Sequence, residues 1–352
     1  MILSGGKGSF LQMEIFDLEE RFHDLQKLKE MGTNLAENSK FKKNIFLQPF
    51  HISEILASPK PAWMDLFRNK SIYFVGTGTS YHAAQIAKIL WRQYVYSDAH
   101  AVQSFDFVRS PQSVKKGDVV VLFSHRGTKT FTVQAAEKAY AAGGITIGIT
   151  SKGSFWETGL TYRLETCEPE DIGVFSKSFT SALTWIIKWI DHKALTKTIQ
   201  DAVQQIHVQT SFPVLQSQSD LVLIGDLIRE WVAKETALKL QEAAYIPARA
   251  FGLEEFLHGP MLSLHENTVV IGFINPEEER WKTVFQYFQT IEFPLREVKA
   301  ENFEIPVSSN WFWQIFWGQR FTLEACSQLG INPDTLRTQE PKYQKAREEL
   351  KL

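Results

Sequence analysis

Three charged residues in the stretch ETALKLQEAAY (235–245), Glu235, Lys239 and Glu242, fall at i, i+4 and i+7, so on a helix they share one face. On spacing alone they read as a solvated ladder of ion pairs, each worth about 0.3–0.5 kcal/mol. Further on, EEFLHGP (254–260) sets His258 ahead of a Gly-Pro turn, the position of an ordinary surface histidine. Two other stretches gather hydroxyls around glycine: GTGTS (76–80) and SHRGTKT (124–130). Each follows a short apolar run and precedes a helical one. Ligands of parallel sheets bind beyond the carboxyl ends of the strands, and the free N–H groups and dipole at a helix start attract an anion. Ser80, Ser124, Thr128 and Thr130 would add hydroxyl donors, while Gly78 and Gly127 would let the backbone come close. An ordinary strand–turn–helix with capping Ser and Thr accounts for either loop alone; two at neighbouring strand ends would let one phosphate engage both. Neither is a P-loop, and GTGTSYHA lacks the third glycine of a dinucleotide fingerprint.

These residues need elements to carry them. SIYFVG (71–76), DVVVLFS (118–124) and GITIGIT (144–150) are short apolar runs, the pattern of parallel strands covered on both faces. TSYHAAQIAKILWRQYV (79–95) and the stretch after SHRGTKT read as the helices between them. The second half repeats the scheme: DLVLIG (220–225), a helix over 228–245, NTVVIGFI (267–274) and a helix over 277–291. A helical connector over 179–206 would join two α/β units. The expected fold is two αβα sandwiches, each a parallel sheet flanked by helices. The expected division is an N-terminal helical segment (1–44, with an apolar helical period over 13–31), a first unit (45–205), a second unit (206–330) and a C-terminal tail (331–352).

The 352 residues suffice for two such units. Lys and Arg total 38 against 40 Asp and Glu, a net charge of -2, which gives no footprint for nucleic acid. No apolar run approaches the ~20 residues of a membrane span. Cys167 and Cys326 form neither a metal spacing nor a disulfide framework, and with no secretory leader pattern the expected location is the cytoplasm.

The block ETALKLQEAAYIPARAFGLEEFLHGP (235–260) closely resembles the signature of the isomerase half of glucosamine-6-phosphate synthase, a family built from two sugar isomerase (SIS) domains. GTSYHAA (78–84) and SHRGT (124–128) resemble its two phosphate-loop signatures, IGVFSKSFT (172–180) the segment after its first sheet, and GINPDTLR (330–337) the start of its tail. The resemblance implies two SIS domains and a phosphosugar substrate. It makes Glu242 the base that moves a proton between C1 and C2, Lys239 the group stabilising the oxyanion, Glu235 its orienter and His258 the ring-opening acid–base, reaching the sugar from the partner of a homodimer. Thr79, Ser80, Ser124, His125, Arg126, Gly127 and Thr128 would hold the phosphate, and Val174, Ser176, Arg337 and Lys342 would touch the substrate. No metal or organic cofactor is implied.

The chain also departs from the family. His125-Arg126 replaces the usual Gln-Ser, and the family's tail lysine aligns with Pro341, one step before Lys342. A glutamine amidohydrolase domain is not expected, so ammonia would come from solution or from a separate glutaminase. Three activities follow: an isomerase, deaminase or deglycase of an amino-hexose or ketohexose 6-phosphate; an isomerising aminotransferase half; or a non-catalytic phosphosugar sensor, against which the retained Glu235-Lys239-Glu242-His258 set argues.

Overall fold

The structure is a computed structural model that describes residues 39–110, 114–156, 158–208, 210–216, 218–298 and 311–350. The helix expected over 13–31 lies outside these residues. In chain order the first half comprises α1 (Lys40–Phe46), α2 (Gln48–Ala57), α3 (Trp63–Leu66), β1 (Ile72–Gly76), α4 (Thr79–Tyr94), β2 (Ala99–Gln103), α5 (Ser104–Arg109), β3 (Val119–Phe123), α6 (Thr130–Ala141), β4 (Ile145–Thr150), β5 (Tyr162–Glu165), α7 (Lys177–Ile190) and α8 (Lys193–Gln204). The second half comprises β6 (Asp220–Gly225), α9 (Ile228–Lys239), a π turn (Leu240–Ala244), β7 (Ala248–Gly252), α10 (Leu253–Leu257), β8 (Thr268–Phe273), α11 (Arg280–Thr290), β9 (Leu295–Val298), α12 (Trp311–Gln328) and α13 (Pro341–Leu350).

Two parallel sheets result, with orders β2-β1-β3-β4-β5 and β7-β6-β8-β9. The second order reproduces the first four strands of the first, so β6 stands where β1 does and β8 where β3 does. Both β1 and β6 end in a glycine for the same steric reason. A Cβ on Gly76 would lie 2.5 Å from the carbonyl carbon of Ser80, and one on Gly225 would lie 2.3 Å from that of Arg229. Only hydrogen fits where each following helix turns back onto its strand.

One apolar core joins the inner faces of both sheets through α4, α7, α9 and α12, with Trp91, Trp189, Phe312 and Phe316 buried in it. The outer faces have smaller cores under α5 and α6 and under α10 and α11. Helix α9 packs on α4 and on α12. Gly318 permits the second approach, since a Cβ there would sit 2.1 Å from Thr236 Oγ1.

Several boundaries differ from the sequence reading. The connector over 179–206 is two helices, α7 and α8, broken where Asp191 takes a left-handed φ of 55°. The helix over 228–245 is α-helical only to Lys239 and then widens into the π turn, closed by Tyr245 at φ 57°. Strands β2, β5, β7 and β9 and the buried helix α12 carried no signal that the sequence reading used. The first described helix of the N-terminal segment begins at Lys40, anchored by Asp334 of the tail, which accepts from the backbone of Lys40 (2.6 Å) and Phe41 (3.0 Å).

Candidate active site

The α4–α9 contact brings the charged residues together. Lys239 is fully buried, and its Nζ donates to Thr79 Oγ1 (2.7 Å) and Glu242 Oε2 (2.8 Å) and pairs with Glu235 Oε1 at 3.2 Å. Three acceptors thus surround a three-donor ammonium. Glu235, also buried, accepts from Thr79 Oγ1 at 3.0 Å and meets His82 Nδ1 at 2.7 Å. An ionised carboxylate only accepts, so His82 donates from Nδ1. Burial opposes the charge on Glu235, but Lys239 and the His82 hydrogen bond outweigh it and hold the carboxyl below its usual range. Burial likewise opposes the charge on Lys239, while Glu235 and Glu242 prevail and hold the ammonium above its ordinary value. Glu242 stands on the π turn with its side chain 33% exposed. It is the member of the group that a solute can reach. The exposed ion-pair ladder suggested by the 4 and 3 spacing is therefore a buried centre with one open carboxylate.

Thr79 also begins the second half of the site. Its neighbour Ser80 lines a small cleft of about 30 Å³ with Ser124, His125, Phe175 and Ser178. Ser124 is buried, and its Oγ has no hydrogen-bond partner. A buried hydroxyl without a partner is costly. The His125 Nε2 accepts from the backbone N–H of Glu170 at 2.8 Å, and its Nδ1 is buried without a partner. Burial pushes the imidazole below its ordinary pKa; Arg126 and Lys177 add to this, and Glu170 opposes it.

Glu170 itself is a hub. Its carboxylate accepts from the backbone N–H groups of Ser176 (3.0 Å) and Ser178 (3.0 Å) and from both hydroxyls, at the head of α7. Its carbonyl accepts from Arg126 Nη2 at 3.1 Å.

Arg126 is exposed apart from that bond, and Thr128 is exposed beside it. Gly127 has a φ of 67°, and a Cβ there would lie 2.7 Å from that of Trp156. Val174 is buried in the core. Ser176 donates its N–H and its hydroxyl to Glu170. His258 is 76% exposed and meets Glu254 at 3.4 Å, so within one chain its contact is outside the Lys239 group. Arg337 lies over the Tyr245 ring at 4.2 Å, and Lys342 is exposed, 3.5 Å from Glu340.

The sequence reading missed His82 and Glu170. His82 follows Thr79 by three residues, on the same helix face, but nothing local ties it to Glu235. Glu170 lies in an aperiodic loop and offered no signal. Among the described residues no group of three or more His, Cys, Asp or Glu side chains could hold a metal ion, and no helix is long and apolar enough to cross a membrane.

A parallel sheet of order 2-1-3-4-5 with a hydroxyl-lined cleft beyond its strand ends belongs to the doubly wound α/β class that binds ligands at that edge. Residues 65–187 match the SIS domain family, a span that takes in the first sheet. The chain is homologous to the isomerase half of glutamine–fructose-6-phosphate aminotransferase. It is 24% identical over 279 residues to the enzyme of that name from Aquifex aeolicus, covering 73% of this chain and 47% of that protein. The chain spans about half the length of the curated relatives it matches. Among solved structures, the C-terminal domain of glucosamine-fructose-6-phosphate aminotransferase from Francisella tularensis superposes with a TM-score of 0.72 at 20% identity, covering 85% of this chain and 99% of that one. Glucosamine-6-phosphate deaminase from Thermotoga maritima superposes with a TM-score of 0.66 at 20% identity, covering 85% and 97%. These two likenesses establish the fold.

Proposed function

We propose that the protein is a phosphosugar enzyme that moves a proton between C1 and C2 of an amino-hexose or ketohexose 6-phosphate, as an isomerase, deaminase or deglycase. The observation that carries this reading is the adjacency of Thr79 and Ser80. One residue is bonded into the Glu235–Lys239 pair and the next lines the cleft with the unpartnered Ser124. A phosphate held in the cleft by Ser80, Ser124 and His125 would fix the far end of the sugar, so binding energy spent there positions the reacting carbons.

Glu242 is then the base that takes the proton from one carbon and returns it to the other through an enediol or enediolamine. Lys239 keeps Glu242 aimed while it is ionised. When Glu242 takes up the proton its hold on Nζ weakens, which frees an N–H for the oxyanion developing on the substrate. Glu235 and His82 keep that ammonium in place. His258 would open the sugar ring across the interface of a homodimer, consistent with its exposure here.

The second α/β unit belongs to this reading as a second SIS domain, with the boundary near residue 205. The names of the curated relatives favour one rival, an aminotransferase half using ammonia from solution or from a separate glutaminase. A sensor would have no need of the buried Glu235-Lys239-Glu242 centre.

The test is to incubate the protein with glucosamine 6-phosphate, and with fructose 6-phosphate with and without ammonium, in deuterated water. Conversion or deuterium at C1 or C2 without ammonium supports the enzyme. Amino sugar formed only with ammonium favours the aminotransferase reading. Tight binding with no exchange at either carbon would leave the sensor.

A further inference from the structure

The cleft holds a histidine whose two nitrogens are in opposite situations. Nε2 lies 2.8 Å from the backbone N–H of Glu170, a group that can only donate. Nε2 must therefore accept, and a neutral ring then carries its proton on Nδ1. That Nδ1 is buried and has no partner, in a ring that lines the same cleft as the unpartnered Ser124 Oγ. We infer that His125 is a neutral hydrogen-bond donor to a phosphate oxygen of the ligand, locked as its Nδ1–H tautomer by the backbone of Glu170. The inference rests on the phosphosugar reading above and adds the state in which this residue acts.

The lock is built in depth. Glu170 cannot easily turn its N–H away, because its carboxylate is held by Ser176 and Ser178 and its carbonyl by Arg126. The ring packs on Phe175, with centroids 4.7 Å apart. The charged groups around the ring are Glu170, Arg126 and Lys177. Charging the imidazole would place a second N–H at Nε2, facing the N–H of Glu170. Protonation therefore has to break the lock as well as desolvate a charge, and the direction of the shift at His125 agrees with this. An ordinary histidine near a phosphate gains charge, and affinity, as the pH falls through about 6.5. His125 instead donates in the same state across that range. Glu170 acts here as a positioning residue.

The test uses fructose 6-phosphate and inorganic phosphate as probes of the full chain. In protein labelled with ¹⁵N-histidine, His125 should show the neutral Nδ1–H form between about pH 6 and 8, and its Nδ1 resonance should move on adding either probe. His125→Gln can accept from Glu170 with its carbonyl and donate with its amide, so its affinity should stay within about threefold. His125→Leu, which does neither, should bind about ten- to a hundredfold more weakly, the range for one hydrogen bond to a charged group. The affinity–pH curves of wild type and His125→Gln should run parallel. An Nε2–H or charged ring, or a bound probe that leaves Nδ1 unmoved, overturns the inference while leaving the phosphosugar reading standing. Failure of the wild type to bind either probe overturns both. If His125→Leu does not fold, the tautomer and the ligand-induced shift of the wild type decide alone.

Discussion

Beyond the carboxyl end of the first sheet, Ser80 in the first turn of α4 and Ser124 just after β3 line a cleft, and Ser124 Oγ has no partner there. At the matching end of the second sheet, β6 and β8 run out into Asp226 and Asn275. Asp226 is buried and accepts from Trp281 Nε1 (3.1 Å) and Asn275 Nδ2 (3.2 Å). The carboxylate at this strand end is held by its own neighbours, whereas the Ser124 hydroxyl at the first is not. What the second unit contributes is the helix after its first strand, α9, which carries Glu235 and Lys239 to the flank of the first unit. On the proposed reading, the same strand order would serve capture at one edge and chemistry beside the other sheet. The side chains at the strand ends, rather than the topology, decide which.

The largest effect expected on this comparison comes from the reactive carboxylate. Glu242→Gln should lower turnover by about 10²–10⁴-fold while phosphosugar affinity, measured by titration calorimetry, is kept. Turnover near wild type in this variant would take the chemistry away from α9 and its π turn.

Lys239→Met should come next. It leaves Glu235 buried without its cation, a change that costs about 3–5 kcal/mol, to be read from urea denaturation. The pH dependence has a definite sign on each side. The folded pKa of Glu235 is depressed, so its contribution is present above the unfolded value of 4.5 and is lost as the pH falls through the folded one. Lys239 is raised, so its contribution is present below 10.5 and lost as the pH rises through its folded value. The stability difference between wild type and Glu235→Gln should therefore shrink as the pH falls from about 4.5, where the unfolded chain takes up its proton, through the lower folded value. A difference independent of pH would mean the pair is not ionised.

The two strand ends are compared directly by Ser124→Ala and Asp226→Ala. The first should weaken a hexose 6-phosphate by about 1.5–3 kcal/mol, the loss of a hydrogen bond to a charged group, with little change in stability. The second should do the reverse: unchanged affinity and a stability loss of about 1–3 kcal/mol from the stranded Trp281 N–H. If both variants lose affinity equally, the contrast between the two edges fails.

The smallest effect is expected from Arg126→Ser. Its guanidinium bonds the carbonyl of Glu170 and otherwise faces solvent, so affinity should change by no more than about threefold, as for an exposed charge. A larger loss, with a reduced dependence on salt, would place the arginine on the phosphate.

The sequence by itself determined the layered α/β plan, because apolar runs buried on two faces and helices of one apolar stripe leave local periodicities. It also determined the two hydroxyl loops, whose glycines and position between strand and helix are local properties. Glu235, Lys239 and Glu242 were legible as a group because they are neighbours on one helix. What that group would be was not legible. The same 4 and 3 spacing fits an exposed ladder, and only the packing of α4 on α9 buries Lys239, sets Thr79 and His82 against Glu235 and leaves Glu242 open. His82 and Glu235 are 153 residues apart, beyond the reach of any local pattern. The π turn and the break at Asp191 were hidden because a change of backbone state within an apolar helical stretch alters no periodicity. Glu170 was hidden because an anion site made of backbone N–H groups has no side-chain signature. Tertiary structure decided burial, and burial decides which of these charges are sealed from solvent and which one stays open to it.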